Sequence, residues 1–191
     1  MPIDDLEARA RFWGGMKPEN FSGASLAFPF SGHENLFEGK NVLEIGPGEG
    51  RQFKKLSELA ARYSVADISR EVLDKEIYDE VPRYLITSYE AKLPKGKFDV
   101  VHFWYVIHHV KPSELEQFVR FVSNHVKVGG HVLFNTLSLE HMQAQELGGD
   151  GKMTSPHPPE KVVEAFEKHF KITHKEFLSR DCILIVATKE K

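Results

Sequence analysis

The spacing of apolar residues changes several times along the chain, and each change marks an element. Asn41–Ile45 (NVLEI) is a short apolar run that predicts a buried strand. Phe53, Leu56, Leu59 and Ala60 then recur at helical spacing, which predicts a helix over 50–62. A second strand is predicted at Ser64–Ile68 (SVADI), and a helix over Glu71–Asp79 with Ser69 as its N-cap. Pro82 breaks the chain ahead of a third strand, RYLIT. FDVVHFWYV, residues 98–106, is apolar at nearly every position, as in a strand covered on both faces. Pro112 suits a helix start, and Leu115, Phe118, Val119, Val122 and Val126 form its apolar stripe, ended by VGG. HVLFNTLS is a fifth strand. Residues 158–170 form a helix with Val162, Val163, Phe166 and Phe170 on one face. Two strands close the chain, KITHKEFLS and CILIVATKE, joined by a short turn at Arg180 and Asp181 as an antiparallel hairpin. Strands alternating with helices predict a doubly wound α/β domain: a parallel sheet, right-handed crossovers and helices on both faces.

Residues 1–39 stand apart as an N-terminal helical or lid segment ahead of the regular domain, 40–191. A helix is expected over Asp4–Trp13, followed by a Gly-, Pro- and Ser-rich stretch carrying Phe21, Phe28 and Phe30. Aromatic residues at that density need a surface to pack on.

Composition narrows the function classes. The 191 residues suffice for one domain, and 41% hydrophobic with 28% charged residues fits a soluble globular protein. A net charge of −3 gives no field for holding a polyanion, which argues against nucleic acid as a partner. The single cysteine, Cys182, cannot form an intrachain disulfide and fits a reducing compartment. The start, MPIDDLEARARFWGG, is charged where a signal peptide needs an apolar stretch, and no apolar run reaches membrane-spanning length. The expectation is a cytoplasmic protein with no membrane partner. Its oligomeric state is left open.

The candidate chemistry begins at VLEIGPGEG. A dinucleotide fingerprint, G-x-G-x-x-G, would need glycine where Arg51 stands, and no Gly-Lys-Ser/Thr follows for a phosphate loop. What remains is acid-x-G-x-G-x-G at a strand end: Glu44, Gly46, Gly48, Gly50. Glycines let backbone pass beneath a ligand, and the Glu44 carboxylate favours a cationic group. S-adenosylmethionine carries an ammonium and a sulfonium and no phosphate. Asp67, at the tip of the second strand, is an acceptor suited to two ribose hydroxyls, a use shared by NAD enzymes.

Together, VLEIGPGEG, VADIS, FDVVHFWYVIHHV and HVKVGGHVLF resemble the motifs of the class I S-adenosylmethionine-dependent methyltransferases. The closing hairpin is similar to their reversed seventh strand. The resemblance implies a Rossmann-like sheet of seven strands, mostly parallel with an antiparallel last strand. It implies S-adenosyl-L-methionine as cofactor, with S-adenosyl-L-homocysteine as product. By the same resemblance Glu44, Gly46, Pro47, Gly48 and Gly50 meet the methionine portion, Asp67 the ribose, and Ile68 the adenine. Many relatives carry Asp-Ala before a Leu-Pro pair. Here SYEAKLP puts Tyr89 and Glu90 there, so the adenine contact falls to one of these two.

Methyl transfer requires alignment more than activation. At the end of the fourth strand Phe103 or Trp104 can offer an aromatic face to the sulfonium; alternation lets one face the ligand while the other packs in the core. His108 and His109 are the candidate general bases, and the resemblance favours His109. His102, His108, His109 and His131 have no acid or cysteine at metal-ligand spacing, so no metal is expected. Acceptor choice falls to residues 12–37 and to the long connection after the fifth strand. Neither is basic, and the Asn/Asp-Pro-Pro-aromatic motif of DNA amino-methyltransferases is absent. A small-molecule acceptor is expected, oxygen ahead of nitrogen or carbon. The competing expectations are a non-catalytic cofactor-binding or regulatory module of the same fold, and another adenosyl-group chemistry.

Overall fold

Asn41–Ile45 (β1), Arg62–Asp67 (β2), Arg83–Leu85 (β3), Phe98–Phe103 (β4), Val126–Leu137 (β5), Lys171–Ser179 (β6) and Cys182–Thr188 (β7) make one sheet. Their order is β3-β2-β1-β4-β5-β7-β6. The structure is a computed structural model and describes residues 6–15 (the Trp13 side chain excepted), 29–93, 96–137, 157–179 and 182–191. The expectations for Phe21, Phe28, the connection over 138–156 and the turn at Arg180 and Asp181 lie outside these. Neighbouring strands from β3 to β5 run parallel, while β7 is antiparallel to both β5 and β6. The strand order reverses direction between β1 and β4, and the fork at their carboxyl ends is where ligands enter open α/β sheets.

Alternating side chains supply the two faces. Leu43, Ile45, Val101, Phe103, Val132 and Phe134 pack beneath Leu115–His125 (α4) and Pro159–Glu167 (α5), with Phe134 stacked on Phe166 at 4.2 Å. Val42, Tyr63, Val65, Val100 and Leu133 face the other way, under Leu56 of Phe53–Leu59 (α2) and the fully buried Phe30 and Phe37. Leu6–Gly14 (α1) packs against Arg70–Leu73 (α3).

Several boundaries differ from the sequence expectation. The helix expected over 50–62 begins only at Phe53, because turns occupy 48–52. The helix expected over 71–79 is split into α3 and a 3-10 turn at Glu76–Tyr78, separated at Lys75 by extended backbone. Ser69 does cap α3, its Oγ accepting from the Val72 N–H at 3.4 Å. β4 stops at Phe103, three residues early, where Tyr105 turns to φ 57. The stretch VGG lies inside β5 instead of ending α4: Val126 is already extended, and the Gly129 N–H donates to the Lys189 carbonyl at 2.7 Å. Among the described residues, no helix is long and apolar enough to cross a membrane.

Candidate active site

Strand β1 delivers the glycine loop to the fork. Gly46 has φ +68, and a Cβ there would lie 2.5 Å from Val106 Cγ2, so both conformation and space require glycine. Its N–H donates to the Ala66 carbonyl at 2.8 Å, tying the loop to β2. Gly48 has φ +55 and differs in one respect: a Cβ there would meet nothing within 4 Å. Its backbone borders open space. The rear of the loop is fastened by Lys75 Nζ and Tyr78 OH, which donate to the Gly48 carbonyl at 3.1 and 3.2 Å. Lys75 is also paired with Glu49. The Pro47 carbonyl accepts from the Gly50 N–H at 2.9 Å, closing the turn.

Two carboxyls flank this bare backbone. Glu44 is 3% exposed and Asp67 7%. Burial pushes each up to about 7, and Asp67 raises Glu44 further through like charge. Asp67 accepts from the Ser69 N–H at 2.8 Å. Lys75 lies close enough to favour its ionised form, but that ammonium is already bonded to Glu49 and Gly48.

Glu44 ends a buried relay. Tyr63 OH stands 2.9 Å from Glu44 Oε2 and 2.7 Å from His102 Nε2. One phenolic proton cannot serve both neighbours. When Glu44 is ionised, Tyr63 donates to it and accepts from His102 Nε2–H. That tautomer leaves Nδ1 as a bare lone pair, and His102 Nδ1 has no hydrogen-bond partner among the described residues. The other tautomer would bury an unsatisfied N–H, the costlier arrangement. His102 is fully buried among Phe30, Phe37 and Tyr63, and burial pulls its pKa down to about 3. It is a neutral donor.

Beyond β4 the expected aromatic pair divides. Phe103 is fully buried and stacks on Phe134 at 5.0 Å, with Phe118 edge-on at 5.2 Å. It is a core residue, which corrects its expected place beside the cofactor; strand alternation turns it under α4. Trp104 is half-buried on the opposite side, 5.3 Å from Phe30 and 5.8 Å from Tyr105. The left-handed backbone of Tyr105 is held by its N–H donating to Asn135 Oδ1 at 2.7 Å. Such conformations cluster at functional sites. The 3-10 turn Ile107–His109 follows. His108 is buried, His109 is half-exposed, and their rings lie 4.0 Å apart. Tyr89 packs edge-on against Phe118 at 5.3 Å, and burial pushes its hydroxyl up to about 12. Glu90 is exposed, its N–H bonded to Ser88 Oγ. Ile68 is partly buried against the core.

Helix α1 crosses this region. Arg9 is 2% exposed, donates to Glu114 Oε2 at 2.6 Å and reaches the His109 carbonyl at 3.4 Å. At the far end of the helix, a Cβ on Gly14 would fall 2.6 Å from the Glu71 carboxylate and 2.8 Å from Ser69 Oγ. The helix therefore runs from the turn after β2 to the turn after β4. Sequence reasoning passed over Arg9, Tyr63 and Asn135, whose roles arise from pairings across the fold. His102 did carry a signal: a polar residue within an apolar strand must find a hydrogen bond.

A family model described as a methyltransferase domain matches residues 16–180. The chain belongs to that methyltransferase family. The solved N-methyltransferase NodS from Bradyrhizobium japonicum WM9, in complex with S-adenosyl-L-homocysteine, shares its fold at a TM-score of 0.71 and 14% identity, covering 98% of this chain and 100% of that one. An S-adenosylmethionine-dependent methyltransferase from Mesorhizobium loti gives 0.70 and 17%, covering 87% and 100%. Phosphoethanolamine N-methyltransferase 1 of Arabidopsis thaliana is 28% identical over 105 residues, which are 51% of this chain and 21% of the plant protein. The match thus spans about a fifth of that relative's length. The site fits S-adenosylmethionine: two buried carboxyls suit a cationic head and a diol, beside backbone that a ligand can approach.

Arg9→Ala removes the fastening of α1. The methyltransferase should lose about 1.5–3 kcal/mol of stability, the scale of a hydrogen bond to a charged group. Urea denaturation would measure this. A midpoint equal to that of the parent would show that α1 is held by other contacts.

Proposed function

We propose that the methyltransferase acts on a small-molecule acceptor that must shed a proton, with His109 as the group that takes it. The position of α1 carries the small-molecule reading. A helix fastened by Arg9 across the carboxyl ends of β2, β1 and β4 favours an acceptor small enough to pass beside it over a duplex or a protein surface. The net charge of −3 supports the same reading.

In this reading Glu44 takes the cationic methionine head, and backbone from Gly46 through Pro47 and Gly48 to Gly50 passes beneath it. Asp67 accepts from the ribose hydroxyls. Ile68 and Tyr89 border the adenine, with the exposed Glu90 at its rim. Trp104 lines the acceptor side. Helix α1 closes over the site as a lid, while Phe30 and Phe37 pack into the core. Bound S-adenosylmethionine supplies a methyl carbon already activated by its sulfonium. With that methyl group in reach of the acceptor, His109 would take up the proton that the acceptor sheds. His108, buried behind it, holds the ring in place. Oxygen is the acceptor atom expected from sequence. An amine is the second reading, favoured by the plant relative named as a phosphoethanolamine N-methyltransferase. The single cysteine, buried on β7, supports a cytoplasmic setting.

The test is transfer of a labelled methyl group to panels of small phenols, carboxylic acids and amines, beside DNA and protein. Turnover confined to small molecules is expected, and the reactive panel names the atom. Cofactor binding without turnover on any panel would favour a regulatory module instead.

A further inference from the structure

Strand β6 lies at one edge of the sheet, three strands from β4 and from the chemistry described above. His174 and Glu176 are two residues apart on it and so share a face. They are in register with Val186 and Leu184, whose side chains pack in the same apolar cluster as Phe30 and Phe37. Between those phenylalanines lies His33. Its N–H donates to the Phe30 carbonyl at 2.9 Å, and the turn before it is held by the Gly32 N–H donating to Glu34 at 2.7 Å. Three side chains thus meet from segments far apart in sequence.

Their donor atoms converge. His174 Nε2 is 3.3 Å and His33 Nε2 4.0 Å from the same oxygen, Glu176 Oε2. The imidazole rings are 4.9 Å apart, and one ligand atom from each residue falls within 4.8 Å of the others. As a hydrogen-bonded cluster this is poorly made: the longer separation is out of reach, and the shorter one is at its limit. As a ligand set it is close to ready. Bonds of about 2.05 Å in tetrahedral geometry set ligand atoms ~3.3 Å apart. One pair already has that spacing, and the others need only small side-chain rotations. His174 and Glu176 are 43% and 48% exposed, which leaves a side open for water as a fourth ligand.

We propose that His33, His174 and Glu176 form a binding site for a divalent transition metal, Zn²⁺ in first place. Two imidazole nitrogens and one carboxylate oxygen match borderline-soft ions, whereas Mg²⁺ and Ca²⁺ take oxygen ligands. The ion has no part in methyl transfer. It clamps the segment carrying Phe30 and Phe37 to the edge strand. Because only the fold assembles these ligands, binding adds to folding stability. Sequence spacing does not show the site, since one ligand comes from ahead of β1 and two from the penultimate strand.

The experiment uses the full chain after treatment with chelator. Zn²⁺ is titrated by calorimetry, and thermal unfolding is followed with and without it. One equivalent should bind and raise the melting temperature. His33→Ala, His174→Ala and Glu176→Gln should each weaken binding at least ~10-fold, no less than the loss of an outer-shell partner costs. His169→Ala, outside the cluster, should bind as the parent does. Absence of binding, or affinity within about two-fold of the parent in any of the three cluster variants, would overturn the site. Either result leaves the methyl-transfer reading untouched, because no residue is shared.

Discussion

His109→Ala is expected to lower kcat by ~10²–10⁴, the range for loss of a general base, while the dissociation constant of S-adenosylmethionine stays within a few-fold of the parent. The geometry separates the two candidates. His108 is 6% exposed, whereas His109 is half-exposed. The 3-10 turn fixes the His109 backbone through its N–H to the Val106 carbonyl at 2.9 Å and through Arg9 on its own carbonyl. The ring is then backed by His108 at 4.0 Å. A base must be reachable by the acceptor and held still, and in the proposed reading His109 serves better than the buried His108. Parent and variant would be compared in single-turnover experiments across pH. A general base leaves a rising acidic limb in the parent that is missing in the variant. A loss of only a few-fold with the limb retained would make His109 a positioning residue, with the acceptor losing its proton to solvent.

The candidate site was legible in the chain where residue type alone decides the local structure. The glycines of the loop, Glu44, Asp67 and the Ser69 cap all follow from residue type at a strand end, and β1 was readable to its boundaries. Legibility failed where tertiary geometry decides. The apolar run through Val106 reads as one long strand. The chain leaves the sheet at Phe103 because the Asn135 amide holds Tyr105 in a left-handed turn, an event with no signal in the run itself. The helix expected over 71–79 breaks at Lys75, whose ammonium is drawn to Glu49 and the Gly48 carbonyl. Phe103 and Trp104 were equivalent by composition, and only the sheet's two faces told them apart. Arg9 sits in a short helix with no conspicuous pattern. Its importance comes from Glu114 and the His109 carbonyl, a hundred residues away.

Glu44→Gln is expected to stabilise the cofactor-free chain and to cripple cofactor binding. The relay from His102 through Tyr63 ends on Glu44, but the tyrosine hydrogen bond only partly offsets the burial that pushes this carboxyl from 4.5 up to about 7. A carboxyl whose pKa is raised on folding stabilises the folded state below its unfolded value. That stability is lost as pH climbs through the folded value. The parent should therefore lose about 3 kcal/mol from Glu44 between pH 4 and pH 8. Glutamine keeps the shape of the protonated acid and does not titrate. The variant's advantage should be near zero at pH 4 and grow to about 3 kcal/mol at pH 8. Comparison by difference is needed, because His102 and other buried histidines are displaced in the opposite sense. Their contributions are common to both chains and cancel. If Glu44 takes the cationic head as proposed, a bound ammonium and sulfonium supply its countercharge, so S-adenosylmethionine should bind more tightly to the parent at pH 8 than at pH 6 and release protons as it binds. The variant should show neither effect. Urea denaturation at several pH values, and calorimetry in buffers of different ionisation enthalpy, give the two measurements. A stability difference that is flat with pH would place the Glu44 carboxylate in contact with water in the free protein. Proton release that persists in the variant would assign the linkage to Asp67.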